Sequence, residues 1–215
     1  MQKLKLKNNT YSGKLIVFEG TDGSGKTTMI ELTRRLLEEK YGEKQVLSVK
    51  QPTDTSRKTK LFQKMMYCKN HDDIDYRAVQ LLTMSDRLQH SFETIIPALR
   101  AGKIVICDRY IFTSLANMHA RGYKKEKWFF EAAKHLLRPD VTFLSYVPAE
   151  IAISRIKCRP EERDRHLDEN LLRNVAKEFY QMGQREKFTV LDTSRAPNYA
   201  FRFVKEKLQK EGLYI

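Results

Sequence analysis

The segment Gly20-Thr21-Asp22-Gly23-Ser24-Gly25-Lys26-Thr27 constrains this chain more than any other stretch. It fits G-x-x-x-x-G-K-[ST], the Walker A phosphate loop. Glycine lets the backbone curl until successive N–H groups point inward at phosphate oxygens. Lys26 then reaches the β- and γ-phosphates, and the Thr27 hydroxyl is placed to sit on Mg²⁺. Its context is the one such a loop needs. Leu15-Ile16-Val17-Phe18 is a continuous apolar run, read as a buried strand. Beyond the loop, Met29, Leu32, Thr33, Leu36 and Leu37 recur on one face of a helix.

The same two patterns alternate along the chain. Strands are expected at about 14–19, 45–50, 103–107, 141–147 and 188–192, all mostly apolar. Helices are expected at about 26–40, 75–100, 111–119, 125–137, 148–157, around 171–182 and around 201–208. A short helix is expected within 55–69, on the stripe Leu61, Phe62, Met65 and Met66. Apolar strands alternating with helices predict an α/β fold: a five-stranded parallel sheet with helices on both faces. Ligands bind such sheets at the C-terminal ends of the strands. The phosphate loop, Gln51–Thr53 and Asp108–Tyr110 each follow a strand, so they should converge on one crevice.

Residues 1–13 carry lysines and only the isolated Leu4 and Leu6, which predicts a flexible basic arm. Residues 14–215 are then a single domain, the default for a chain of 215 residues. The arm lacks the apolar stretch a signal peptide needs, and no run is long enough to span a membrane. Cys68, Cys107 and Cys158 are odd in number and far apart, which points to a reducing compartment, the cytoplasm. A net charge of +13 favours acidic partners, either polyphosphorylated nucleotides or nucleic acid. No nucleic-acid motif is recognisable, and nucleic acid is not the expected partner.

Phosphoryl transfer needs charge neutralisation, alignment and exclusion of water. Asp108, at the end of its strand, is a candidate for holding Mg²⁺, with helix capping as its ordinary alternative. Arg109 beside it can clamp a second phosphate in bidentate fashion. The segment 155–165 carries Arg155, Lys157, Arg159, Arg163 and Arg165 between the fourth and fifth strands. Such a charge run is ordinarily a solvated surface, but a mobile basic lid over phosphates has the same look.

Taken together, these segments resemble the thymidylate kinase family of P-loop nucleoside monophosphate kinases. The resemblance rests on Phe18-Glu19-Gly20 through Thr28, Leu81-Leu82 with Asp86-Arg87 and His90, and Pro97-Ala98-Leu99 with Gly102-Lys103. It rests further on Asp108-Arg109-Tyr110 with Ser114, Arg138-Pro139-Asp140, Val147-Pro148, Arg155-Ile156 and Asp164-Arg165. It implies a P-loop NTPase fold with a basic lid, and transfer of the γ-phosphate of ATP to the 5′-phosphate of dTMP, with Mg²⁺. It also implies a homodimer built on the long helices. Asp22 would hold the acceptor's sugar, Lys26 the donor phosphates, Arg87 the base, Arg109 the acceptor phosphate, and Arg155 the adenine. One branch of the family has a catalytic Arg just after the loop acid. Gly23 stands there, so Arg159, Arg163 and Arg165 would supply that charge.

The acceptor positions depart from the family's pattern. Thr83 replaces a Phe that stacks on thymine, Ser114 a Gln or Asn, Asn117 a Tyr, and Gln51 the Glu of a Glu-Pro element. Stacking on an aromatic is worth ~1–3 kcal/mol per base in nucleic-acid binders. Its loss predicts a pocket that discriminates poorly among bases. Two alternatives follow: a kinase of this fold acting on another nucleotide or small phosphorylated acceptor, or a non-catalytic basic nucleotide-binding module.

Overall fold

A computed structural model describes residues 3–68, 70, 73–162 and 167–214. The apolar runs form strands β1 (Lys14–Glu19), β2 (Val46–Lys50), β3 (Ile104–Asp108), β4 (Val141–Tyr146) and β5 (Thr189–Asp192). They pair in the order β2-β3-β1-β4-β5, every neighbour parallel. Successive side chains of a strand face opposite ways. Leu15 and Val17 accordingly enter one core and Ile16 and Phe18 the other. Because helices cover both faces, the central strands need apolar residues at consecutive positions.

One face is covered by α1 (Lys26–Tyr41) and α10 (Pro197–Lys210). The other is covered chiefly by α4 (Tyr76–His90), α6 (Ile111–Ala120), α7 (Lys127–Ala133) and α9 (Glu169–Glu186). Two short helices, α2 (Asp54–Arg57) and α3 (Lys60–Tyr67), replace the single one expected within 55–69. Thr59 divides them by capping α3, its hydroxyl accepting from Phe62 N. The helix expected over 75–100 is continuous but not uniform. After α4 it passes through a π turn, Ser91–Ile95, into α5 (Ile96–Arg100). Pro97 lies in that stretch without an N–H to donate, and the wider turn absorbs the defect. The remaining helix, α8 (Ala149–Lys157), starts after Pro148.

The N-terminal arm is a correction to the sequence reading. Leu4 is 3% exposed and belongs to the main core, with Leu6 beside it. Lys7 bridges to Leu137, its N–H donating to Leu136 O at 2.9 Å. Asn9 Nδ2 donates to Asp140 at 2.7 Å. Two leucines and one bridge tie down residues whose composition alone suggests a free basic tail.

The register sets Phe18 and Lys50 opposite Asp108 and so brings the ends of β1, β2 and β3 together. The strand order reverses at β1, which places the crevice there. No helix among the described residues is long and apolar enough to cross a membrane.

Candidate active site

The phosphate loop bends under α8 and against β4. Gly20 has φ 139°, and a Cβ there would stand 2.4 Å from Ser145 O, so no larger residue fits. At the loop's far side the Thr193 hydroxyl lies 2.6 Å from Ser24 O and 3.1 Å from Tyr146 O, tying the loop to the end of β5. Lys26 opens α1, and its Nζ donates to Thr21 O at 2.7 Å. Burial, with the Arg109 charge, lowers the Lys26 ammonium to about 7. A polyphosphate on the loop favours the charged form and acts the other way.

Arg109 joins the loop to β3. It adopts φ 66°, a conformation most side chains avoid. Its Nη2 meets Asp22 Oδ1 at 2.5 Å, and its Nη1 donates to Gly20 O at 2.8 Å and to Thr113 Oγ1 at 3.3 Å. Behind it stands Glu19, fully buried at the end of β1. The Glu19 carboxylate accepts the N–H groups of Tyr110 at 2.9 Å and Thr113 at 3.2 Å, and the Thr113 hydroxyl as well. Glu19 thus holds the first turn of α6, and Thr113 relays its position to Arg109. From sequence Glu19 was named only within the Phe18-Glu19-Gly20 segment, without a role, and Thr113 was not named. An acidic residue closing an apolar strand just before the loop is a signal that could have found the first.

Burial raises Glu19 to about 7, against the lowering effects of Thr113, Arg109, Tyr110 and Arg87. Its folded pKa therefore lies above the value of 4.5 for an exposed glutamate. Stability linked to it is fully present below that value and is lost as the pH rises through about 7. Wild type should lose roughly 3 kcal/mol relative to Glu19→Gln across this window. Denaturant midpoints of both proteins at pH 5 and 7.5 check this. A gap that stays constant with pH would show that Glu19 is not titrating in this window.

Asp108 does not cap α6, which begins after Tyr110 with no side-chain cap. Its Oδ1 is buried with no hydrogen-bond partner among the described residues, and Oδ2 lies 3.9 Å from Lys50 Nζ. Thr27 is exposed on the first turn of α1. Carboxylate and hydroxyl oxygens are the donors Mg²⁺ prefers, and the orphaned Oδ1 is consistent with one.

Two pockets flank the loop. One is lined at its polar end by Thr21, Asp22, Arg57, Arg109 and Thr113. Its inner wall carries Thr83, Arg87, Ser114 and Asn117, so with Arg109 the structure gathers five of the expected acceptor residues. Arg87 is 1% exposed; its Nη1 donates to Thr83 O at 3.1 Å, and its Nε has no partner among the described residues. Burial lowers its pKa. Thr83 is buried and its hydroxyl turns to its own helix, lying 3.3 Å from Gln80 O.

Gln51 is a correction. It is fully buried, 3.0 Å from His90 Nδ1, and does not line the pocket. The chain after β2 reaches the pocket instead through Pro52 and Arg57, whose Nε donates to Pro52 O at 2.7 Å. Arg57 was missed because it sits in a polar, basic stretch with no motif. Its position just past a strand's C-terminal end was the available signal.

The second pocket lies on the other side of the loop, lined by Gly23, Thr28, Arg155, Arg159, Thr193 and Arg195 among others. Arg155 Nη2 donates to Thr193 O at 2.9 Å and Nη1 to Gly23 O at 3.3 Å. Arg159 follows α8 in the turn before Pro160–Glu162. Arg163 and Arg165 lie outside the described residues.

A family model described as thymidylate kinase matches residues 18–203. The chain belongs to the thymidylate kinase family. A probable thymidylate kinase from Pyrococcus abyssi is 40% identical over 150 residues, covering 68% of this chain and 71% of that protein. Its counterpart from Pyrococcus horikoshii is 41% identical over the same shares. A crystal structure of thymidylate kinase from Ehrlichia chaffeensis superposes with a TM-score of 0.66 at 24% identity. It covers 92% of this chain and 98% of that one, a likeness of fold. The chain is therefore an ATP-dependent nucleoside monophosphate kinase, and the family's phosphoryl transfer to thymidylate is its reaction. Neither a different acceptor nor a non-catalytic module is favoured.

Proposed function

We propose that the two pockets are the two halves of this reaction: ATP enters on the Arg155 side and dTMP on the Arg109 side. The observation that carries this is that the phosphate loop borders both pockets: Thr21 and Asp22 line the one with Arg109, Gly23 and Gly25 the one with Arg155. Loop N–H groups and Lys26 hold the donor phosphates. Arg109 and Arg57 hold the 5′-phosphate of dTMP, and Asp22 sits beside them where the sugar would lie. A phosphate oxygen of dTMP attacks the γ-phosphorus, the bond to the β-phosphate bridge breaks, and dTDP and ADP leave. Mg²⁺, held through Thr27 and Asp108, would neutralise charge on the β- and γ-phosphates. Arg155 lies against the adenine, and Arg159 closes over the phosphates as part of a basic lid.

A steady-state assay of ADP release with dTMP, dUMP, dCMP and dGMP tests this reading. Release with dTMP is expected, and none with any monophosphate would overturn it. In the same assay Arg159→Ala should lower kcat more than it raises the KM for dTMP, because a lid charge meets the phosphates only on closure. An unchanged kcat would remove Arg159 from the lid.

Residues 14–215 act as one catalytic domain in this reading, with the packed arm part of its core. The homodimer is supported by Leu81 and Phe92, 55% and 71% exposed along α4 and its π turn. Large apolar side chains left in water on a long helix suit a self-complementary interface. Sedimentation at assay concentration separates dimer from monomer. The cytoplasm is the compartment that suits three cysteines with no disulfide among them.

A further inference from the structure

The base end of the acceptor pocket holds a second guanidinium. Arg121 comes in from the C-terminal end of α6, one turn past Asn117, and lines the same pocket as Arg87. Its guanidinium lies over the Tyr76 ring, 4.1 Å from the centroid. Its Nη1 donates to Asn117 Oδ1 at 2.9 Å. Asn117 is itself anchored, its Nδ2 donating to Thr113 O at 2.9 Å. Asn117, which the sequence reading counted as a lost base contact, instead holds Arg121 in place.

Arg121 and Arg87 share an unusual condition. The Nε of each is buried with no hydrogen-bond partner, and neither has a carboxylate at ion-pair distance, among the described residues. Tyr76, Arg87 and Arg121 line the same pocket. A buried guanidinium N–H left without an acceptor is costly unless a ligand completes it. A guanidinium donates and never accepts. A base that meets one of the two at C2 and the other at C4 must therefore offer an acceptor at both positions. Thymine and uracil carry carbonyls at C2 and C4. Cytosine carries an amino donor at C4, where it would face a donor, and its second acceptor is the ring nitrogen N3; neither purine carries the 2,4-dioxo pattern.

We propose that Arg121 is a specificity-determining residue which, with Arg87, selects a 2,4-dioxopyrimidine by donating to its carbonyl oxygens. The stacked Tyr76–Arg121 pair and its Asn117 tether take over base reading where Thr83 offers no ring. This rests on the reading of the pocket as the site of a pyrimidine monophosphate. It also replaces the expectation of a poorly discriminating pocket with a definite ranking: dTMP and dUMP ahead of dCMP.

The test is kcat/KM for dTMP, dUMP and dCMP in wild type, Arg121→Met and Arg121→Lys. A site built to hydrogen-bond a group rejects its absence strongly, because its own polar atoms are then left unpaired. Wild type should prefer dTMP and dUMP over dCMP by at least about a hundredfold. Arg121→Met, which keeps the apolar stem, should lower kcat/KM for dTMP by about tenfold or more, mainly through KM, and leave dCMP within about threefold. Arg121→Lys should fall between. Equal losses for dTMP and dCMP, or no loss in either variant, would overturn the proposal and leave Arg121 a packing partner of Tyr76. If Arg121→Met does not fold, Arg121→Lys alone decides, by whether the ratio of dTMP to dCMP falls. A wild type that uses no pyrimidine monophosphate would instead overturn the acceptor reading itself. Binding of ATP to each variant, measured separately, shows that the donor half is intact.

Discussion

Replacing Lys26 with alanine is expected to cut phosphoryl transfer by at least about a thousandfold, with the fold retained. Lys26 is 7% exposed, and its one hydrogen bond among the described residues is to Thr21 O. Burial already pushes its pKa down to about 7, so the folded chain holds this charge at a cost. A lysine kept under that penalty, on the loop's inner face, is explained by the negative charge it meets during reaction. Charge spreads over the γ-phosphoryl oxygens in the transition state, and a preorganised cation is most effective there. Turnover under saturating substrates measures the loss, and circular dichroism with a thermal melt shows whether the variant is folded. A folded Lys26→Ala protein within tenfold of wild-type kcat would place the donor phosphates elsewhere and remove the central assignment.

What was legible in the sequence was local. β1, β3 and β4 follow from runs such as Ile104–Cys107 because a strand covered on both faces must be apolar at consecutive positions. The phosphate loop followed from glycines at fixed spacing, since the required backbone conformations are a property of the residues themselves. The π turn before Pro97 and the split at Thr59 depend on a balance of a few hydrogen bonds and were not foreseen.

What was not legible depends on contacts far apart in the chain. Leu4 and Leu6 look isolated because the partners that bury them, such as the strand of chain near Leu137, lie over a hundred residues away. Glu19 had no role assigned to it and Thr113 no motif, and their meaning appears only when the end of β1 is set against the start of α6. Asn117 and Arg121 are one helical turn apart, and the bond between them was open to inference. That Tyr76 lies beneath Arg121 was not, because Tyr76 starts a different helix.

Gly23→Arg should fail as a transplant, lowering kcat/KM by on the order of a hundredfold instead of adding a catalytic charge. The position follows the loop acid, where one branch of the family is expected to carry a catalytic arginine. In this chain Gly23 has φ 74°, which strains any residue with a side chain. A Cβ there would stand 2.4 Å from Ala152 O and 3.0 Å from Ala152 Cα. The obstacle is backbone of α8, held in a core with Val147, Ile153 and Ile156, and cannot swing aside as a side chain would. Either the loop or the start of the lid must therefore move. A shift of about 1 Å in groups that align the phosphates is enough for a hundredfold loss. Gly23→Ala isolates the backbone effect, because it adds the Cβ without the charge. Both variants should lose activity together and show weaker ATP binding. An active Gly23→Arg protein beside a crippled Gly23→Ala would mean that the guanidinium does reach the phosphates. The supply of that charge by Arg159 and its lid neighbours would then lose its reason.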